Sequence, residues 1–169
     1  RKAPPQARRK TLAPDKAGEA TLKQQLAEAL AQQAATAEIL KVISGSPADT
    51  QPVFEAIVEN AHRLIGAVFS ILYRFDGKML SVLADSQSDP KASAVLRGMY
   101  PAPARRGHIV GRAVLSGREM HTVDIRVDAR FPANRNVHAK VSGFRAALVV
   151  PLVREGAVTG AIAAGRLDP

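Results

Sequence analysis

The pattern of apolar and polar residues predicts a long helix at the N-terminal side of a compact unit. Residues 22–43, LKQQLAEALAQQAATAEILKVI, are almost all good helix formers and include no Gly or Pro. Seven of these positions follow a 4-3-4-3 spacing that is typical of a coiled-coil seam: Leu22, Leu26, Ala29, Gln33, Thr36, Leu40 and Ile43. A helix with so thin an apolar stripe is poorly stable alone, so we expect a parallel homodimer through it. The alternative is an amphipathic helix packed on its own domain.

A second helix is predicted after the SGSPADTQP segment, residues 44–52. Asp49 or Thr50 can cap this helix, and Pro52 is tolerated in a first turn because its missing N–H needs no partner there. One face of the helix, which runs to about Leu64, is apolar at five positions: Phe54, Ile57, Val58, Ala61 and Leu64.

After residue 66, the spacing of apolar residues changes to that of strands and short helices. The runs VFSILYRF and MLSVLAD, joined at Asp76-Gly77, predict an antiparallel hairpin. A helix is expected over residues 88–99 with Asp89 as its cap, then a short helix closed by Gly117, then the strand EMHTVD. Residues 125–143 form a connection of 19 residues, which is longer than connections usually are, so we expect it to be functional or partly helical.

The segment from 143 to 166, GFRAALVVPLVREGAVTGAIAAGR, predicts a second hairpin. Its first arm is apolar on both faces, which indicates a sheet covered by helices on both sides. Alternation places five residues of this arm on one face: Phe144, Ala146, Leu148, Val150 and Leu152. The second arm is rich in Gly and Ala, so another element can approach it closely. We therefore expect a helix to follow Pro169 and pack on this arm, in a longer protein from which the chain was cut.

Charge is concentrated at the start of the chain. The net charge is +9, and the first 16 residues hold six Lys or Arg and one Asp. Residues 1–18 are basic and rich in Pro and Ala, so we interpret them as a disordered tail. A solvated linker is the favoured interpretation; an arm that binds nucleic acid or an anionic membrane is the alternative, and no nucleic-acid recognition motif accompanies the tail.

Composition excludes several classes of function. The chain has no cysteine, which removes disulfides, thiolate metal sites and a cysteine nucleophile. The longest apolar run of the hairpin, residues 146–153, is too short to span a bilayer, so we expect a cytoplasmic protein without a membrane span. Nucleophile-elbow, phosphate-loop and zinc-protease motifs are missing. We therefore predict no catalytic residues and no metal site in this segment.

Three segments in this order resemble a GAF domain: AEILKVISGSPADTQPVFEAIVENAHRLIGA, RGHIVGRAVLSGREMHTVDI and GFRAALVVPLVREGAVTGAIAAGR. The resemblance covers residues 45–166 and is greatest to GAF domains of bacterial sensor histidine kinases and some nucleotide cyclases. It implies an α+β fold with a central antiparallel sheet and helices on both sides, preceded by the long helix. The expected organisation is a tail over residues 1–18, a signalling helix over 19–44 and a GAF domain over 45–169.

The resemblance implies binding of a small-molecule signal between the sheet and the elements from His108 to Val141. No cofactor is evident: a bilin joined through cysteine is excluded, and the Asn-Lys…Phe…Asp-Glu signature of cyclic-nucleotide-binding GAF domains is missing. A haem would need an inward-facing histidine, and the four histidines are His62, His108, His121 and His138. His62 is expected on a helix surface and His121 as an ordinary strand residue. The candidate ligand-binding residues are Asp124, Phe131, His138, Phe144 and Arg145.

These five residues also have purely structural interpretations. Asp124 can cap the long loop, Phe131 can fill the core, and Arg145 can be a solvated strand residue. For the protein as a whole, we expect a sensory domain that relays ligand binding through dimeric helices to a C-terminal output domain, most readily a two-component histidine kinase. The alternatives are the input domain of an adenylate or guanylate cyclase, and a ligand-free dimerisation module.

Overall fold

The computed structural model of this chain describes residues 16–45, 50–131 and 137–169, with side chains from residue 20 to 40 in the first range. Five helices occur in these ranges: α1 (Lys16–Gly45), α2 (Gln51–Ile65), α3 (Pro90–Gly98), α4 (Ile109–Ser116) and α5 (Val137–Ser142). The basic tail up to residue 15, the Asp49 cap and the Ile43 side chain lie outside the described part.

The strands are β1 (Phe69–Phe75), β2 (Met79–Asp85), β3 (Ala102–Pro103), β4 (Met120–Thr122), β5 (Ala146–Arg154) and β6 (Ala157–Arg166). They form one antiparallel sheet in the order β3-β2-β1-β6-β5-β4. The last strand in the chain therefore lies at the centre of the sheet, between β1 and β5. The predicted α+β fold with an antiparallel sheet and a preceding long helix is confirmed.

Local signals in the sequence account for several boundaries. The Asp76 carboxylate accepts hydrogen bonds from the backbone N–H groups of Lys78 and Met79, at 3.0 and 2.7 Å, and closes the turn between β1 and β2. Asp89 caps α3 by accepting from the Lys91 N–H at 2.9 Å. Gly117 ends α4 in the left-handed conformation, at φ 64°. These three predicted features are confirmed.

The two faces of the sheet are covered differently. On the outer face, α2 packs on β1 and β2 through Val58, Leu72 and Ala84. On the inner face, α4 packs on β4, β5 and β6, and the main apolar core lies between them. Since α2 lies over β1 and β2, it leaves the outer side of β5 open in the described part of the chain.

Leu148 and Val150 are 40% and 39% exposed on the outer side of β5, where no described helix packs. That a helix after Pro169 covers this hairpin stays a prediction. One expectation about packing was wrong. The predicted Leu64 of the apolar face of α2 is 45% exposed, because its position falls at the margin of the helical stripe. Of the two predicted caps of α2, Thr50 precedes the helix without a capping side-chain hydrogen bond, and Asp49 lies outside the described residues.

Helix α1 packs on α2 through one narrow face. Ala35 is buried and Ile39 is half-buried, while Glu38 pairs with Arg63 of α2 at 3.0 Å. The described residues of the predicted heptad seam lie on the exposed part of α1: Leu22, Leu26, Ala29, Gln33, Thr36 and Leu40. In addition, no helix in the described ranges is both long enough and apolar enough to cross a membrane.

Candidate functional site

A small chamber lies between the inner face of the sheet and the ends of α3, α4 and α5. Its volume is about 50 Å³. We call it the inner chamber. Its lining is mainly apolar and aromatic, with two histidines and two tyrosines: Phe69, Ile71, Tyr73, Leu96, Met99, Tyr100, His108, Ile109, Val110, His138, Phe144, Ala147, Val149, Ala163 and Ala164.

The floor of the inner chamber is recessed because the central strand carries small residues. Ala163 of β6 pairs with Ile71 of β1 on one side and with Val149 of β5 on the other. Larger side chains on both neighbours thus flank a methyl group. Two residues further along β6, the Phe69 ring occupies the space where a Cβ of Gly165 would lie. The small residues of β6 therefore shape this floor, and the ring of Phe69 packs closely on the strand.

His138 forms part of the wall and is buried. Its Nε2 lies 2.8 Å from Oε1 of Gln87, which can only accept, so Nε2 carries the proton. The imidazole contacts the rings of Phe69 and Phe144, with centroids 5.1 and 5.6 Å apart. Burial lowers the pKa of His138 to about 4, and the Asp85 carboxylate opposes this only in part. The imidazole is therefore neutral at physiological pH.

Two tyrosines complete the polar groups of the wall. The rings of Tyr73 and Tyr100 lie 5.2 Å apart. Burial raises the pKa of both phenols, so both are un-ionised at neutral pH. No Asp, Glu, Lys or Arg is among the described residues that line the inner chamber. The chamber thus offers aromatic surface and, at His138, Tyr73 and Tyr100, neutral hydrogen-bonding groups.

Two of the five candidate ligand-binding residues, His138 and Phe144, line the inner chamber. Phe144 shares it with Ala147 and Val149, so the predicted alternation that grouped Phe144 with Ala146 and Leu148 was wrong. The reason is that Phe144 precedes β5, where the strand alternation has not yet begun. Of the other histidines, His108 also lines the chamber, whereas His121 is exposed. His62 is not a free surface residue, because its Nδ1 lies 3.1 Å from Oγ of Ser86.

Phe131 lies outside the inner chamber, in the main core. It is 1% exposed, and the guanidinium groups of Arg112 and Arg130 lie 5.5 and 5.3 Å from its ring centroid. Arg130 also pairs with Asp128 at 2.7 Å and donates to the backbone oxygen of His121 at 2.8 Å. Phe131 therefore fixes the long loop to the core, which is the structural role that the sequence allowed for it.

Asp124 and Arg145 pair with each other outside the inner chamber. Nη2 and Nε of Arg145 donate to Oδ2 of Asp124 at 2.7 and 3.0 Å. Arg126 donates to the same carboxylate through its backbone and side chain. These hydrogen bonds, from Arg126 above all and also from Arg145, hold the pKa of Asp124 well below its usual range. Asp124 thus joins the loop after β4 to the start of β5.

Replacing Asp124 by asparagine should loosen this junction while leaving the rest of the sheet intact. The amide cannot accept the bidentate ion pairs from both arginines, so the loop opens more often. The Ile125 N–H, which donates to the Arg145 carbonyl at 2.8 Å, should exchange with deuterium faster, by about tenfold or more. Amide exchange measured by NMR would test this, with Asp168→Asn as the control. Unchanged exchange at Ile125 would show that the ion pairs do not hold the loop.

Several lining residues had no signal in the sequence that would assign them to a site. Ile71 and Tyr73 belong to β1, whose apolar residues are all typical of a protein core. Met99 and Tyr100 lie just after the end of α3. The position of Ile71 and Tyr73 beside Ala163 depends on the pairing of β1 with β6, more than 80 residues away along the chain. The described residues contain no group of three or more His, Asp or Glu side chains that could hold a metal ion.

Comparison with solved structures gives the same fold. The chain is similar to the GAF domain of a phosphoenolpyruvate-protein phosphotransferase from Acinetobacter, with 13% identity, a TM-score of 0.61, and 82% of this chain and 78% of that chain covered. Free methionine-R-sulfoxide reductase from Neisseria meningitidis, in complex with its substrate, is 17% identical, with a TM-score of 0.60. The alignment covers 83% of this chain and 75% of that chain. The cyanobacteriochrome TePixJ GAF domain is 27% identical, with a TM-score of 0.57, and the alignment covers 72% of this chain and 75% of that chain.

Sequence comparison adds the family. No significant match was found among curated protein sequences. The family model described as GAF domain matches residues 47–169, which include every strand and the whole lining of the inner chamber. This chain therefore belongs to the GAF domain family.

Proposed function

We propose that this GAF domain is the sensory module of a signalling protein and that its ligand binds at a site that includes the inner chamber. The observation that carries the proposal is the chamber itself, in which neutral polar groups converge over a recessed apolar floor. Pockets of this composition are typical of sites for small molecules. GAF domains are regulatory domains that bind small molecules, and the domain by itself is proposed to be non-catalytic.

The position of the inner chamber suggests how binding could be transmitted. Its wall combines Leu96 of α3, Ile109 of α4 and His138 of α5, so a ligand there contacts three helices at once. A ligand that prefers one arrangement of these helices would shift the domain toward that arrangement. The proposed output is a sensor histidine kinase in the cytoplasm, with an adenylate or guanylate cyclase as the alternative.

A screen for ligands would test the proposal. Native mass spectrometry and calorimetry against a broad metabolite panel should identify a small molecule that binds the whole chain. Ala163→Leu fills the floor of the inner chamber and should weaken that binding by about tenfold or more, which is 1.4 kcal/mol or more. Ala157→Leu, at an exposed position of the same strand, is the matched control and should bind normally.

Two outcomes would contradict the proposed function. One is a folded domain that binds nothing in the panel, which would favour an interaction module without a ligand. The other is a ligand whose affinity is the same in Ala163→Leu, because that ligand would bind elsewhere. Circular dichroism of both variants would establish that the fold is kept.

We further propose that α1 forms a parallel homodimer through its heptad seam. Leu22, Leu26 and Leu40 are 60–69% exposed, while the opposite face of α1 packs on α2 through Ala35. The seam is thus free to pair with a second copy. Sedimentation equilibrium of the chain with both Leu22→Ser and Leu26→Ser should show a weakened dimer, whereas the exposed Gln25→Ser should not. Equal association of the two variants would remove α1 from this role.

A further inference from the structure

A second, larger chamber adjoins the first. This outer chamber has a volume of about 220 Å³ and is lined by Leu80, Met99, Tyr100, Ala102, Pro103, Arg105 and His108. Three of these residues also line the inner chamber: Met99, Tyr100 and His108. The two spaces therefore adjoin at these three residues. Met99 follows α3 directly and His108 directly precedes α4, so these two shared residues lie at helix ends.

The inner chamber alone is too small for a ligand that binds well. Its 50 Å³ admits only a few non-hydrogen atoms. Because the binding free energy per non-hydrogen atom has an upper limit, so small a ligand would bind weakly. A ligand of useful affinity needs more space, and the outer chamber adjoins the inner one at Met99 and Tyr100. Rotation of the flexible Met99 side chain provides a route that leaves the sheet unchanged.

The two chambers differ in charge. The inner chamber has no Asp, Glu, Lys or Arg among its described lining residues, so burying the charge of a ligand there without a partner would be costly. The outer chamber contains Arg105, and no acidic residue is among its described lining residues. No ion pair of Arg105 is present among the described residues. The charged part of any ligand therefore belongs in the outer chamber, and a single guanidinium matches a single negative charge.

The backbone of Arg105, which lines the outer chamber, is held in place. Gly111 of α4 lies directly against the backbone of Arg105, where a Cβ would collide with it. The Arg105 carbonyl accepts from the His108 N–H at 3.0 Å, and the neighbouring Ala104 N–H donates to the Lys78 carbonyl at 2.9 Å. Contacts with α4 and with the turn before β2 thus fix the segment that presents the guanidinium.

We propose that the two chambers form one site for a monocarboxylate with an apolar body. The apolar body enters the inner chamber past Met99 and Tyr100, and the carboxylate pairs with Arg105 in the outer chamber. This inference rests on the proposed function, since it names the class of ligand that the sensory module binds. A planar guanidinium can hold a carboxylate through two parallel hydrogen bonds.

Acid and amide pairs of the same shape would test the proposal on the whole chain. The probes are phenylacetate and hexanoate, each compared with its primary amide by calorimetry or NMR titration. We expect each acid to bind at least about tenfold more tightly than its amide, because only the acid forms the charge-assisted pair. Arg105→Gln should reduce the acid to the affinity of the amide and leave the amide unchanged. Arg106→Gln removes a neighbouring exposed arginine and should change neither.

The outcomes separate this inference from the proposed function. Equal binding of acid and amide, or an acid preference that persists in Arg105→Gln, would overturn the carboxylate assignment while leaving small-molecule binding intact. Failure of every acid to bind would also overturn it, and the metabolite screen with Ala163→Leu would then decide the proposed function alone. If Arg105→Gln did not fold, the salt dependence of the wild-type chain would serve instead. Acid affinity should fall with added salt and amide affinity should not.

Discussion

Phe69→Ala should destabilise the domain by about 3–5 kcal/mol, the usual cost of removing a buried phenylalanine side chain. Phe69 is 3% exposed and contacts the rings of His138 and Phe144, each with its centroid 5.1 Å away. Its ring also fills the space above Gly165 on the central strand. Truncation would therefore empty the junction between β1, β6 and α5. Urea unfolding at 25 °C, followed by circular dichroism, would measure the loss.

Two further variants make the result specific to packing at this junction. Phe69→Leu keeps much of the apolar volume and should lose about half as much stability as the alanine variant. Val127→Ala removes apolar atoms from a side chain that is 81% exposed, so its free energy of unfolding should change by less than about 0.5 kcal/mol. A loss below about 1 kcal/mol in Phe69→Ala would contradict the packing described at this junction.

The second large effect concerns pH and His138. Its pKa is lowered to about 4 in the folded state, against about 6.5 in an unfolded chain. Between these values the unfolded state binds more protons, so stability is greatest above pH 6.5 and falls as the pH decreases toward 4. His138 alone should account for about 2 kcal/mol of lost stability between pH 7 and pH 5. Urea unfolding at several pH values would give this slope.

The dependence of stability on pH should disappear in a variant without a titratable side chain at position 138. His138→Phe keeps an aromatic ring beside Phe69 and Phe144, and its stability should depend little on pH in this interval, whatever its absolute value. His121→Gln removes an exposed histidine and should keep the full slope. The low pKa values of Asp124 and Asp128 act below about pH 4, where hydrogen bonds from Arg126 and Arg130 are lost as the carboxylates protonate. A wild-type slope equal to that of His138→Phe would show that His138 is not buried in its neutral form.

Part of the candidate site was accessible from the sequence. His138 and Phe144 lie in and just after an unusually long connection between strands, and both line the inner chamber. Asp124, Phe131 and Arg145 lie in or beside the same connection but outside the inner chamber. Their side chains are held there by ion pairs and by packing in the core. Their residue types did not separate the two outcomes. Only the partner of each side chain did, and the partner is 21 residues away for Asp124 and 51 residues away for His138.

Local patterns in the sequence were sufficient to predict most of the helices and strands and to indicate the family. Turns and caps depend on neighbours along the chain, and the signals at Asp76, Asp89 and Gly117 therefore specified where β1, α3 and α4 end or begin. The order of these elements, with their motifs, was sufficient to indicate a GAF domain. Long-range pairing was not needed for either conclusion.

The positions of the chambers and the residues that line them follow from tertiary packing. The inner chamber exists because Ala163 lies between Ile71 and Val149 in adjacent strands, and its register with Ile71 joins residues that are far apart in the chain. The outer chamber depends on Gly111, which lets the backbone of Arg105 lie against α4. Such contacts are set by the packing of the whole sheet and its helices. For this reason no short stretch of sequence encodes them.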